Sequence, residues 1–164
     1  MRLLVIILLL ISLPGFPQRE CLRKTYLSQI GVREHGNNRG KHVEKYLSAA
    51  GVKPGNPWCA SFVYWCHKQC FPSINVPGAA MARSWYKKEK LVSIRNKTIK
   101  QPEPGDVVLF LYGETIYHAG FYDQDAGDFI ITVEGNVRPG GIDGVHRIKR
   151  IKRSVYAIAR WTEN

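Results

Sequence analysis

Apolar positions keep a helical rhythm through the first half of the chain and a strand rhythm through the second. Leu22 to Val32 reads as a short amphipathic helix with Tyr26, Leu27 and Ile30 inward. A polar, glycine-rich turn over 34–40 follows, then a helix over about 41–50 with Val43, Tyr46, Leu47 and Ala50 on one stripe and Gly51 as its stop. Asn56 and Pro57 are start signals for a strongly apolar third helix, in which Cys59, Phe62, Val63, Cys66 and Cys70 recur along one face. A short fourth helix is expected over Ala79 to Tyr86.

From Leu91 the period becomes that of strands. The turn Pro102-Glu103-Pro104-Gly105 launches Asp106 to Leu111, a continuous apolar run expected of a strand buried on both faces. Tyr117 to Tyr122, Phe129 to Glu134, Gly144 to Ile148 and Val155 to Trp161 complete five strand candidates, with Asp123, Asp125 and Asp128 as turn residues between the second and third. Helices first and antiparallel strands afterwards predict an α+β fold with the Cys59 helix packed against the sheet.

Chemistry concentrates where those two halves meet. Cys59 falls in the first turn of its helix, where backbone N–H groups lack intrahelical partners and the dipole is positive, so a thiolate is favoured over a thiol. A thiolate also needs a base and an orienting group, and both stand on strands. His118 shares a face with Gly120 and Tyr122, and Glu134 is expected to share one with Asn136. If those strands pair, His118 and Glu134 become neighbours on the face turned toward the Cys59 helix, with Ala119 and Gly120 leaving room for a substrate. Among the other histidines, His35 and His42 lie in a polar turn and a helix start, His67 points away from Cys59, and His146 sits in a basic run.

Length and charge narrow the setting. The 164 residues fit one domain with material for a single core. Met1-Arg2 and the unbroken apolar run from Leu3 to Ile11 have the form of a secretory signal, with cleavage expected near Gly15 to Pro17; an uncleaved anchor and a buried strand are the alternatives. A secreted or periplasmic location follows. The formal charge of +11 points to polyanionic surroundings, and much of it lies in Lys87 to Lys100 and in the run His146 to Arg153. The second run reads as the solvated face of an edge strand with Ile148 and Ile151 turned inward. No helix-turn-helix, zinc-finger or RNA-binding aromatic signature accompanies it, so an anionic cell envelope is the expected partner and nucleic acid is not. If Cys59 stays free, Cys21, Cys66 and Cys70 leave one disulfide and one odd thiol whose connectivity stays open: Cys66 and Cys70, one helical turn apart, bridge under strain unless the helix ends before Phe71-Pro72, and Cys21 can pair with either. No C-x-x-C pair suggests zinc.

The ordered set Pro57-Trp58-Cys59-Ala60-x-Phe62-Val63-x-Trp65, Pro104-Gly105-Asp106-Val107-Val108-x-Phe110, His118-Ala119-Gly120-Phe121-Tyr122 and Glu134-Gly135-Asn136 resembles the CHAP family of cysteine, histidine-dependent amidohydrolases and peptidases. The likeness runs from about Ile30 to Trp161. It implies a papain-like α+β fold, with N-terminal helices on a five- to six-stranded antiparallel sheet; with the leader read from the apolar run at 1–17, the expected organisation is a single domain over 22–161. It also implies cleavage of an amide bond in peptidoglycan, either the N-acetylmuramoyl-L-alanine amide or a stem-peptide link, by a monomer. Carried over residue by residue, Cys59 is the nucleophile, His118 the base, Glu134 the orienting group and Asn136 a fourth member. Some relatives carry calcium-binding aspartates before the cysteine; none stands between Glu34 and Cys59 here, so neither metal nor cofactor is expected. The rival reading is a non-catalytic envelope-binding module on the same scaffold, with Cys59 structural or disulfide-bonded.

Overall fold

A computed structural model of the chain describes residues 16–162, which form three helices laid on one face of a single antiparallel sheet. The helices are α1 (Phe16–Leu27), α2 (Lys41–Ala49) and α3 (Cys59–Cys70). The strands are β1 (Leu91–Ile94), β2 (Lys97–Thr98), β3 (Val107–Tyr112), β4 (Thr115–Ala126), β5 (Phe129–Val137), β6 (Gly144–Ile151) and β7 (Ala157–Ala159), in the spatial order β2-β1-β7-β3-β4-β5-β6. The α+β class is as expected; the sheet has seven strands because β1 and β2 form an extra hairpin at its edge. Its turn residues Arg95 and Asn96 both have positive φ, 45° and 63°, the geometry of a two-residue hairpin turn.

The leader expected over 1–17 falls almost wholly outside the described residues; Phe16 and Pro17 open α1. Among the described residues no helix is long and apolar enough to cross a membrane. The first helix also ends earlier than its spacing suggests. Leu22 and Tyr26 are buried, but Ile30 is 41% exposed, because the chain leaves the helix at Ser28 and Gly31 turns with φ 91°. Gly31 then donates to the Val145 carbonyl and Val145 donates back to Val32, so this segment is drawn to the end of β6 and helical periodicity stops applying. Over Ala79 to Tyr86 the structure holds only a single 3-10 turn at Ala82–Trp85.

Two apolar layers result. Val107, Leu109, Ala119, Phe121, Val133 and Ala157 lie beneath the helices with Trp58, Phe62 and Val63, whereas Val108, Phe110, Tyr122, Ile130 and Ile158 make a second cluster on the opposite face. Val107 to Phe110 are buried on both faces, as their unbroken apolar run predicts. A disulfide joins Cys21 of α1 to Cys70 at the end of α3 and leaves Cys59 and Cys66 free.

Asp123 and Asp125 lie within β4, and the turn is the short Gly127-Asp128 corner. Asp123 occupies a register shift in the β4–β5 pairing and is buried, accepting from Tyr26, Arg23 and Arg147. A turn assignment fails there because three partners compensate an interior carboxylate.

Candidate active site

Cys59 is the first residue of α3, and its own N–H and those next to it have no carbonyl one turn back to bond. The fold brings Cys59 to a gap in the sheet. Pairing of β4 with β5 runs from Ala126↔Phe129 to Phe121↔Val133 and then stops, while β4 continues beside β3 and β5 beside β6. The start of α3 sits where the two strands part. Trp58 packs on Gly135, where a β-carbon would lie 2.6 Å from the indole ring, and its indole N–H donates to Glu34 at 3.1 Å. Only glycine lets the nucleophile helix come this close.

Through that gap the Cys59 thiol comes under the influence of the His118 ring and of the Ala119 backbone N–H, both of which favour its ionised form. His118 Nε2–H in turn donates to Glu134 Oε2 at 2.7 Å, leaving Nδ1 for the thiol. His118 and Glu134 are therefore neighbours, as expected, but on the face opposite the helices. His118 pairs in register with Phe110 of the far cluster, and Glu134 alternates with Val133, which lies under the helices. Strand period alone cannot tell which of two faces a helix covers. The space beside Gly120 is also not left for substrate: a β-carbon there would lie 2.6 Å from Glu134 Cγ, so the glycine admits the carboxylate.

Glu134 is fully buried and ringed by donors. Arg150 grips it with both prongs, Nε to Oε1 at 2.8 Å and Nη2 to Oε2 at 2.7 Å, and Thr132 Oγ1 donates to Oε1 at 2.5 Å. The Arg150 guanidinium also lies over the Phe110 ring. Neither Arg150 nor Thr132 stood out in the sequence. Arg150 lies inside the basic run whose pattern reads as a solvated face, yet its alternation with Ile148 and His146 on β6 puts it on the face that carries Glu134, within reach of the carboxylate. The same period of two keeps Ile148 and Ile151, three apart, from sharing a face. Three cations of that run are neutralised, Arg147 by Asp123, Arg150 by Glu134 and Lys152 by Asp125, so it is not the uniform charged surface expected.

Asn136 departs from the expected pattern. The β5–β6 register shifts between Glu134 and Val137, and Asn136 has φ 59°, so it does not simply repeat the direction of Glu134 two residues earlier. The carboxylate alone holds Nε2.

The electrostatics describe an ion pair. Burial pushes the Cys59 thiol up, but the His118 hydrogen bond and charge, with the backbone N–H groups of Ala119 and Ala60, hold it below its ordinary value. Burial pulls His118 down, but its bonds to Cys59 and Glu134 raise it to about 9. For Glu134, burial works against ionisation and is outweighed by Arg150 and His118, which bring it down to about 2. All three shifts favour thiolate, imidazolium and carboxylate together. Cys66 is the contrast: it is buried without such partners and burial raises its thiol. His67 is a core ring, its Nδ1 bonded to the Val63 carbonyl, and burial lowers it to about 4. Among the described residues no group of three or more His, Cys, Asp or Glu is placed to hold a metal ion.

A thiol at a helix start, facing an imidazole held by a carboxylate on an antiparallel sheet, is an arrangement that thiol hydrolases use. The family model of the CHAP domain matches residues 51–136, more than half of the chain, and the chain belongs to that family. CHAP domains are in general cysteine- and histidine-dependent amidohydrolases or peptidases acting on peptidoglycan. No curated protein and no solved structure matches the chain.

Proposed function

We propose that this protein is an exported cysteine hydrolase that cuts an amide bond of peptidoglycan through a thioester, with Cys59 as nucleophile, His118 as acid and base, and Glu134 as the group that orients it. The observation that carries this reading is the 2.7 Å bond between His118 and the buried Glu134, with the free Cys59 thiol influenced by the same imidazole. The Cys59 thiolate attacks the carbonyl carbon, and the Cys59 backbone N–H, free at the helix start, is one donor for the oxyanion. His118 gives its proton to the departing amine, then takes one from the water that attacks the thioester, and expulsion of the sulfur restores the thiolate–imidazolium pair. Glu134 keeps Nδ1 facing sulfur throughout, and Asn136 is a supporting member at the rim. That Cys59 is free of any disulfide removes one ground for the rival binding module. The protein acts as a monomer outside the cytoplasm. Its hold on an anionic envelope draws on Lys87, Lys88, Lys97 and Lys100, which line the exposed β1–β2 edge and the segment before it.

The test is digestion of purified peptidoglycan by the wild type and by folded Cys59→Ser and His118→Ala proteins, with mass spectrometry of the released muropeptides. Both variants should be inactive, and the new termini identify the bond. Wild-type turnover by either variant would refute the roles.

A further inference from the structure

Two large aromatic side chains stand in water at the end of the β3–β4 hairpin, beside the catalytic base. Tyr112 is 81% exposed and Tyr117 58%, while every tryptophan of the chain is buried or half-buried. They belong together. Their ring centroids are 6.2 Å apart in an edge-to-face arrangement, and Tyr117 lies 5.9 Å from the His118 ring. Consecutive strand residues normally point to opposite faces, but here the register shifts: Phe110 pairs with His118 and Leu111 with Ile116, leaving Tyr117 as the extra residue of a bulge. The bulge brings the phenol to the side of the imidazole. Nothing in the core requires this, since neither ring is buried and the hairpin turn at Gly113 is made by glycine with φ 58°.

On the reading that Cys59 and His118 form a peptidoglycan-cleaving site, we infer that Tyr112 and Tyr117 are a glycan subsite, on which a sugar ring of the substrate packs its C–H face while its hydroxyls stay in water. An exposed pair of flat aromatic surfaces, with no walls around it, suits such an amphipathic ring better than an aliphatic chain, which gains only by full enclosure. The position also selects the bond. In the muramoyl-alanine amide a lactyl bridge alone separates the scissile carbonyl from the sugar, so a sugar must lie within a few ångströms of the base. A stem-peptide link several residues away would leave the tyrosines empty. The subsite thus makes the muramoyl-alanine amide the bond that is cut.

Two probes share the scissile amide and differ in the sugar: a disaccharide-bearing muropeptide, and the lactyl peptide left when the sugar ring is removed. In the wild type the first should have the higher kcat/KM. Tyr117→Ala should lower the ratio of the two about tenfold, through KM on the sugar-bearing probe, with Tyr112→Ala following in the same direction. Tyr117→Trp, which keeps the flat face and loses the hydroxyl, should restore the ratio. Equal losses on both probes, an unchanged ratio, or no rescue by tryptophan would overturn the subsite. Binding to a Cys59→Ala protein, followed by calorimetry or by shifts of the tyrosine ring signals, gives a second readout without turnover. If the wild type leaves the amide of both probes intact, the inference that this subsite selects the muramoyl-alanine bond is overturned, and digestion of whole peptidoglycan shows whether the hydrolase reading fails with it; if the amide is cleaved and the disaccharide adds no affinity, the subsite alone fails.

Discussion

Removing Arg150 tests whether the carboxylate must be held as well as present. The Arg150→Met change keeps a long side chain over Phe110 but deletes both donors to Glu134, leaving it buried with His118 and Thr132. Charge-assisted hydrogen bonds contribute about 1.5–3 kcal/mol each. The Arg150 side chain is 34% exposed, so water replaces part of what is lost and a net effect of about 2 kcal/mol is expected. If that stabilisation also acts on the imidazolium in the transition state, kcat/KM falls about 30-fold. Its pH dependence has a definite sign. Arg150 heads the influences that lower Glu134, so without it the carboxyl titrates nearer its ordinary range and the rate relative to wild type should drop further from pH 7 to pH 5. Arg147→Met is the control: it deletes a comparable two-pronged grip, on Asp123, that does not touch Cys59, His118 or Glu134. Both variants should melt lower, but only Arg150→Met should slow turnover per folded molecule, with Arg150→Lys between it and wild type. Wild-type kinetics in Arg150→Met, or an equal loss in Arg147→Met, would refute the reasoning.

Glu134→Gln should slow hydrolysis far more than Asn136→Ala, measured as kcat/KM on one muropeptide, because Nε2 of His118 is held by Glu134 and Asn136 sits across a backbone irregularity. The folded-state depression of Glu134 from 4.5 to about 2 adds stability that is present above pH 4.5 and lost as pH falls toward 2, at most about 3 kcal/mol; melting of Glu134→Gln should therefore be flatter across that window than wild type. Replacing both Cys21 and Cys70 by alanine opens a loop with a sequence separation of 49 and should cost roughly 4 kcal/mol on a chain-entropy account, read by denaturant unfolding, with the muropeptide cleavage pattern unchanged.

Much of the molecule could be read before any coordinates. The α2 stripe, the start of α3 at Cys59 and the strand at Val107 follow from local rules, since apolar period and start signals act over a few residues. The identities of Cys59, His118 and Glu134 as candidates came from residue type in local context, joined to an ordered set of motifs. Ile30, Asp123 and Arg150 depart from what local pattern predicts for one shared reason: each is defined by a partner far away in sequence. Ile30 loses its helical face because Gly31 and Val32 bond to Val145. Asp123 reads as a turn residue until Tyr26, Arg23 and Arg147 converge on it.

By itself, then, the sequence determined the α+β order, the helix that carries the thiol and the set of groups able to do acid–base chemistry. Those are consequences of backbone propensity and side-chain type, which need no distant neighbour. Only the tertiary structure decided that Cys21 bonds Cys70, that the site opens where β4 and β5 part, that Gly120 and Gly135 are spaces for Glu134 and Trp58, and that Arg150 clamps the orienting carboxylate. The physical reason is that a strand pattern repeats every two residues and is blind both to which face a helix covers and to a one-residue bulge, whereas close approach and charge pairing depend on the full three-dimensional path of the chain.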